Sequence, residues 1–179
     1  LNYLLLIYPI HNFPNPNNYP SAEPRKVIPM PDGGFAVVGF TNAYETNGSD
    51  VIVFRVSANG TLMWSHTYGT TSALEFGNSI ILDKEHLVVT GERRQPNSSP
   101  NAFLMKIPFT GGPQIWTRIW DATNPGTEIG FDLVNSTTSA PDGYAITGDT
   151  YRGANLSDPF LWRTNPNGVI PIVNCQDST

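Results

Sequence analysis

A single cysteine, Cys175, is found among 179 residues, so no disulfide can close within the chain and packing alone must hold the fold. Charge is also scarce: only 14% of residues are Asp, Glu, Lys or Arg, and the net charge is −5. The densest basic runs are the pairs Arg25-Lys26 and Arg93-Arg94. That is too small a cationic surface for a phosphate backbone, which excludes nucleic acid as a partner. His11, His66 and His86 share no ligand spacing with one another or with Cys175, so neither a metal nor another cofactor is expected. Also missing are a nucleophile elbow, a metalloprotease helix and a phosphate-cradling glycine loop, since Gly111-Gly112 reads as a hairpin turn; no catalytic residue is assigned. The longest apolar run, Leu1 to Ile10, is too short to cross a bilayer as a helix and lacks the positive start of a signal peptide, so no membrane span is expected. It reads as a strand, with a clipped signal remnant as the alternative, and residues 1–21 read as an N-terminal strand and linker.

Turn residues, by contrast, are abundant. Gly and Pro supply 16 residues each and Asn 17, a composition that interrupts helices and points to an all-β fold. A block is then written three times: FAVVGFTNAYETNGSDVIVFRVSANGTLMWSHTYG from Phe35, LVVTGERRQPNSSPNAFLMKIPFTGGPQIWTRIWD from Leu87, and YAITGDTYRGANLSDPFLWRTNPNGVIPIVNCQD from Tyr144. The glycine ending each apolar run is Gly39, Gly91 and Gly148, at spacings of 52 and 57. Trp64 and Trp116 stand 52 apart, as do Tyr68 and Trp120. Such a period marks a propeller or another solenoid, with copies over roughly residues 22–72, 73–124 and 125–179.

Each copy holds enough short β-prone runs for one four-stranded antiparallel blade. In the second these are Asn78 to Asp83, His86 to Glu92, Asn101 to Ile107 and Gln114 to Trp120. Asp32-Gly33-Gly34, Asn59-Gly60 and Asn167-Gly168 carry hairpin turn chemistry. On the third strand Phe103, Met105 and Ile107 alternate with Ala102, Leu104 and Lys106, so both faces are apolar and neighbours are expected on both sides. Stacked propeller blades supply that. Trp64 with Tyr68, and Trp116 with Trp120, share a strand face and are expected to wedge between blades.

The pattern carried by Gly48, Ser49, Asp50, Arg55, Gly60, Trp64, Tyr68 and Gly69 resembles the β-propeller repeats of secreted and surface-anchored bacterial proteins. Asp32-Gly33-Gly34-Phe35 and Gly39-Phe40-Thr41 match the opening of such repeats. The resemblance spans about Glu23 to Pro171 and implies a propeller in an extracellular setting, but no reaction. The second copy departs from it at Asp83-Lys84-Glu85 and Ser99-Pro100-Asn101, and the third has Ile172 in place of Trp. Three copies fall short of the four to eight blades typical of a closed ring, so further blades are expected from a longer chain or another subunit.

Charged residues recur with the period. Glu23, Glu75 and Glu128 precede each first strand, and Arg55, Lys106 and Arg163 fall on each third strand. Acid and base are expected to pair as structural ties, because packing devices repeat from copy to copy whereas catalytic sites do not. Tyr44, Tyr151 and Arg152 fall in the loop between second and third strands and are the candidates for binding a protein or carbohydrate ligand. The function expected is a secreted or cell-surface, non-catalytic binding or structural module. A propeller-fold polysaccharide hydrolase or lyase and a self-associating structural protein are the alternatives.

Overall fold

The computed structural model describes residues 21–43, 48–120, 126–136, 143–152 and 157–170. All regular structure among them is β, in three antiparallel sheets. The first sheet runs in chain order through β1 (Ala22–Pro29), β2 (Phe35–Thr41), β3 (Asp50–Val56) and β4 (Leu62–Tyr68). The second repeats this with β5 (Leu74–Asp83), β6 (His86–Arg94), β7 (Asn101–Pro108) and β8 (Trp116–Trp120). The third holds β9 (Gly126–Ser136), β10 (Gly143–Arg152) and β11 (Ser157–Arg163). The strand expected at Leu1 to Ile10 and the stretch containing Ile172 lie outside the described residues.

Among the strands expected in the second copy, the first shows the largest boundary shift. The strand read from Asn78 begins at Leu74, because Leu74 to Gly77 pair with Arg94 to Gly91 on the near side of a bulge. That bulge recurs: Arg25, Asn78 and Phe131 are each the extra residue that breaks register with the second strand. A bulge kinks the strand and turns a carbonyl out of the ladder. Here the carbonyl oxygens of Glu23, Phe76 and Ile129 fall where a Cβ on Gly39, Gly91 or Gly148 would stand. The landmark glycines of the repeat are therefore required by close backbone approach within each sheet.

The sheets stack in sequence order through their first strands. The β5 strand lies against β1, β2 and β3, and β9 lies against β5, β6 and β7. Gly77 on β5 sits so close to the Gly39 carbonyl that a Cβ would stand 2.9 Å from it, and Gly130 on β9 approaches Gly91 in the same way, at 3.3 Å. Polar contacts stitch the bulges together. Arg25 Nη1 donates to Asn78 Oδ1 at 3.4 Å, and Asn78 Nδ2 donates to the Gly130 carbonyl at 2.9 Å. Lys26 Nζ then reaches Asp132 on β9 at 2.6 Å, so the first strands of all three sheets converge.

The core lies in the two seams. Ala36, Val38, Val51 and Val53 pack against Ile80, Leu87, Val89, Phe103, Met105 and Ile107 in the first. In the second, Val88, Ala102 and Leu104 meet Leu133, Tyr144, Ile146 and Phe160. The middle sheet is thus apolar on both faces, with strand alternation sending Leu87 and Val89 one way and Val88 the other. Trp64 and Trp116 are half-buried against the two clusters. Each indole is capped by a turn glycine of the next sheet: a Cβ on Gly111 would come 2.9 Å from Trp64, and one on Gly168 2.7 Å from Trp116. Both glycines have positive φ, 84° and 72°, which lets the backbone lie flat on the ring.

Gly91→Ala is expected to lower stability by about 3 kcal/mol, the upper end for overpacking, since the obstacle is backbone rather than a flexible side chain. Trp116→Ala should cost about 3 kcal/mol, the low end for a large aromatic because the indole is only half-buried. Urea denaturation of both variants measures this, and a Gly91→Ala midpoint equal to the parent's would remove the bulge constraint.

Candidate functional site

The charged groups on the third strands mark one end of each seam. Arg55, its side chain only 3% exposed, donates Nη2 to Asp32 Oδ2 at 2.6 Å and Nη1 to the Phe109 carbonyl at 3.3 Å. Its guanidinium also lies 5.4 Å from the Phe109 ring centroid. Lys106 repeats the device, donating Nζ to Asp83 Oδ2 at 2.8 Å and to the Tyr144 hydroxyl at 3.0 Å. Tyr144 in turn donates to Asp83 Oδ2 at 2.7 Å, closing a three-membered network across the second seam. Arg163, at the corresponding place on β11, is exposed.

For Arg55 and Lys106 the expected pairing with the recurring glutamates is corrected. Each of Arg55 and Lys106 instead takes the aspartate of its own sheet's first hairpin turn. The reason is position along the strand: the base stands beside that turn, whereas Glu75 and Glu128 stand at the far end of the first strand. Glu23 is also out of register. Glu75 and Glu128 lie two residues before Gly77 and Gly130, but Glu23 lies one before Pro24, their counterpart opposite Gly39. A one-residue slip turns a side chain to the other face, and Glu23, on a strand end exposed on both faces, pairs with Arg25 at 2.8 Å. Glu75 is buried, accepting from Thr70 Oγ1 and Arg93 Nε, both at 3.1 Å. Glu128 is fully buried and accepts from Thr150 Oγ1 at 3.4 Å.

Electrostatics follow from these partners. Burial alone would raise the Asp83 carboxyl, but the bonds from Lys106 and Tyr144 outweigh it and hold the group below the usual carboxylate range. Burial, and then the neighbouring Asp83 charge, push the Tyr144 hydroxyl well above its ordinary value, so it stays protonated and donates. Burial keeps Glu75 above the ordinary range despite Arg93. Tyr68, buried in the first seam, is pushed up to about 12 and donates to the Gly112 carbonyl at 2.8 Å.

Beside the Asp83–Lys106–Tyr144 network the second seam opens into a cleft of about 680 Å³. Lys84 and His86 border it from the second sheet, and Asn135, Ser136 and Pro166 from the third. A smaller cavity of about 190 Å³ lies in the first seam near Glu75, Arg93, Tyr68 and Gln114. Of the loop candidates, Tyr151 does not reach the cleft. Tyr151 is 40% exposed on β10, seven residues beyond Tyr144, or about 23 Å along an extended strand. Tyr44 and the side chain of Arg152 lie outside the described residues.

Asp83, Lys84 and Tyr144 were not singled out as functional by sequence. Their only signals were the loss of the Asp-Gly turn at Asp83-Lys84-Glu85 and the appearance of Tyr where the second copy has Leu87. Among the described residues no group of three His, Cys, Asp or Glu side chains is placed to hold a metal ion. No helix among them is long and apolar enough to cross a membrane. No family model matches the chain, and no curated protein matches its sequence.

Asp83→Asn should cost about 1–2 kcal/mol, less than for a fully buried ion pair because solvent reaches the carboxylate. The sign of its pH dependence is set by the lowered folded-state value. Asp83's contribution is present above the unfolded carboxyl value near about 4 and is lost as pH falls through the lower folded one. Denaturation of parent and variant at pH 6 down to about 2 should therefore show their stabilities converging as acid is added; a constant gap would contradict the assignment.

Proposed function

We propose that the chain is a stretch of a secreted or cell-surface β-propeller, each sheet one blade, serving as a non-catalytic binding or structural module. The observation that carries this is the convergence of β1, β5 and β9 through the Arg25–Asn78–Gly130 and Lys26–Asp132 contacts. Consecutive meander sheets whose first strands meet are arranged about a common axis, as propeller blades are. The outward face of the third sheet supports further blades. Leu161 is 76% exposed, while its counterparts Val53 and Leu104 are fully buried by the following sheet. The extracellular setting rests on the likeness of the repeat to those of secreted bacterial proteins.

A structural role for the charged ties supports the absence of catalysis. Arg55 and Lys106 are engaged by turn aspartates and by the next sheet in both seams, so the device repeats as packing does. A glycan array followed by a polysaccharide turnover screen tests the proposal, with binding and no turnover expected. Turnover abolished by Lys106→Met would replace the module with the hydrolase or lyase alternative.

A further inference from the structure

The two seams share the charged tie at one end but differ in what packs beside it. In the first, the end beside the Arg55–Asp32 tie is filled by Leu82, Leu87 and Phe109, all packed into the core. Strand register puts Asn135 and Tyr144 in the second seam where Leu82 and Leu87 stand in the first, since each pair is directly opposed across its hairpin. The matching turns, closed by Gly111 N to Pro108 O and by Gly168 N to Asn165 O, put Pro166 where Phe109 stands. An apolar plug has been exchanged for an amide, a phenol and a small ring, and the cleft is the space so opened. A stack held by packing loses burial at that point.

A second, independent observation falls on the rim. Lys84 has φ 56°, in the left-handed region, where the first sheet's turn has Gly33 at φ 80°. A non-glycine residue there is strained, and this one holds an exposed cation at the cleft. Among the described lining residues two lysines face one aspartate, in a chain of net charge −5, which favours an anion there. The other described lining groups are the hydroxyl of Ser136, the amide of Asn135, the imidazole of His86 and the phenol of Tyr144, with Gly143 and Pro166 completing the wall. The cleft's volume is that of a small-ligand site, and it sets a few charged, amide and hydroxyl groups beside apolar surface, as a sugar ring with its substituents requires.

We infer that this cleft binds an acidic saccharide, the sugar carboxylate meeting Lys84 with support from Lys106, and the hydroxyls meeting Asn135, Ser136 and His86. The inference rests on the binding-module reading and names its ligand class and its place. It puts recognition at a part of the seam that does not repeat, away from Tyr151.

Calorimetric titration of the full chain with trigalacturonate, maltotriose and inorganic phosphate tests it, on the parent and on Lys84→Gly and Pro166→Phe. Trigalacturonate should bind and maltotriose should not. Lys84→Gly should weaken binding by about tenfold or more, the loss of one charge-assisted contact, while melting at or above the parent because glycine relieves the turn. Pro166→Phe, which restores the first seam's plug, should abolish binding without lowering the melting temperature; if it fails to fold, Lys84→Gly decides alone. No heat with trigalacturonate, equal binding of maltotriose, displacement by phosphate at equal affinity, or binding untouched by Lys84→Gly would each overturn the inference. A glycan-array ligand bound equally by the parent and Lys84→Gly would overturn it and leave the module reading standing, whereas turnover would remove that reading first.

Discussion

A carbonyl oxygen turned out of the ladder at each first-strand bulge governs this molecule. Because the oxygens of Glu23, Phe76 and Ile129 occupy the Cβ positions of Gly39, Gly91 and Gly148, every second strand must carry glycine there. The same bulge exposes Arg25 and Asn78, whose side chains link one first strand to the next. Close approach of Gly77 and Gly130 to the preceding sheet then sets how deeply the stack interlocks. The seam hydrophobics are buried where these backbone contacts bring the sheets together, at the close packing of a protein interior.

The first strand of the first sheet departs from this scheme. Pro24 stands where Gly77 and Gly130 stand, and Ala22 where Glu75 and Glu128 are buried. A pyrrolidine ring cannot repeat the approach that a bare Cα allows. The outward face of the first sheet is therefore not equivalent to the inward faces of the other two. The stack has a direction, with the exposed Leu161 face continuing the pattern that Val53 and Leu104 bury.

The charged ties show how a repeated device leaves room for variation. Arg55 is delocalised, five-donored and nearly enclosed, and it satisfies Asp32 and a backbone carbonyl together. Lys106 brings a smaller cation to the same place, and Tyr144 supplies the hydroxyl that completes it. Exchanging Leu for Tyr and Phe for Pro converts a closed seam end into a polar cleft without disturbing the sheets around it. Function can differ from seam to seam while the backbone constraint stays the same.

The period, the all-β character and the two apolar faces of the middle sheet were legible in the sequence, because each is local or periodic. Glycine, turn residues and strand alternation act within a few residues, and a repeat preserves their spacing. The landmark glycines were visible as a pattern, but the reason for them was not, since it lies in a bulge on a neighbouring strand. Near-equal spacing also misled: Glu23, Glu75 and Glu128 are 52 and 53 residues apart, and strand pairing shows that the one-residue difference is a slip in register. Which acid meets Arg55 and Lys106, and that the second seam opens where the first is plugged, were decided by the tertiary structure alone. Those outcomes depend on side chains from different sheets meeting across a stack, a distance that no pattern along the chain encodes.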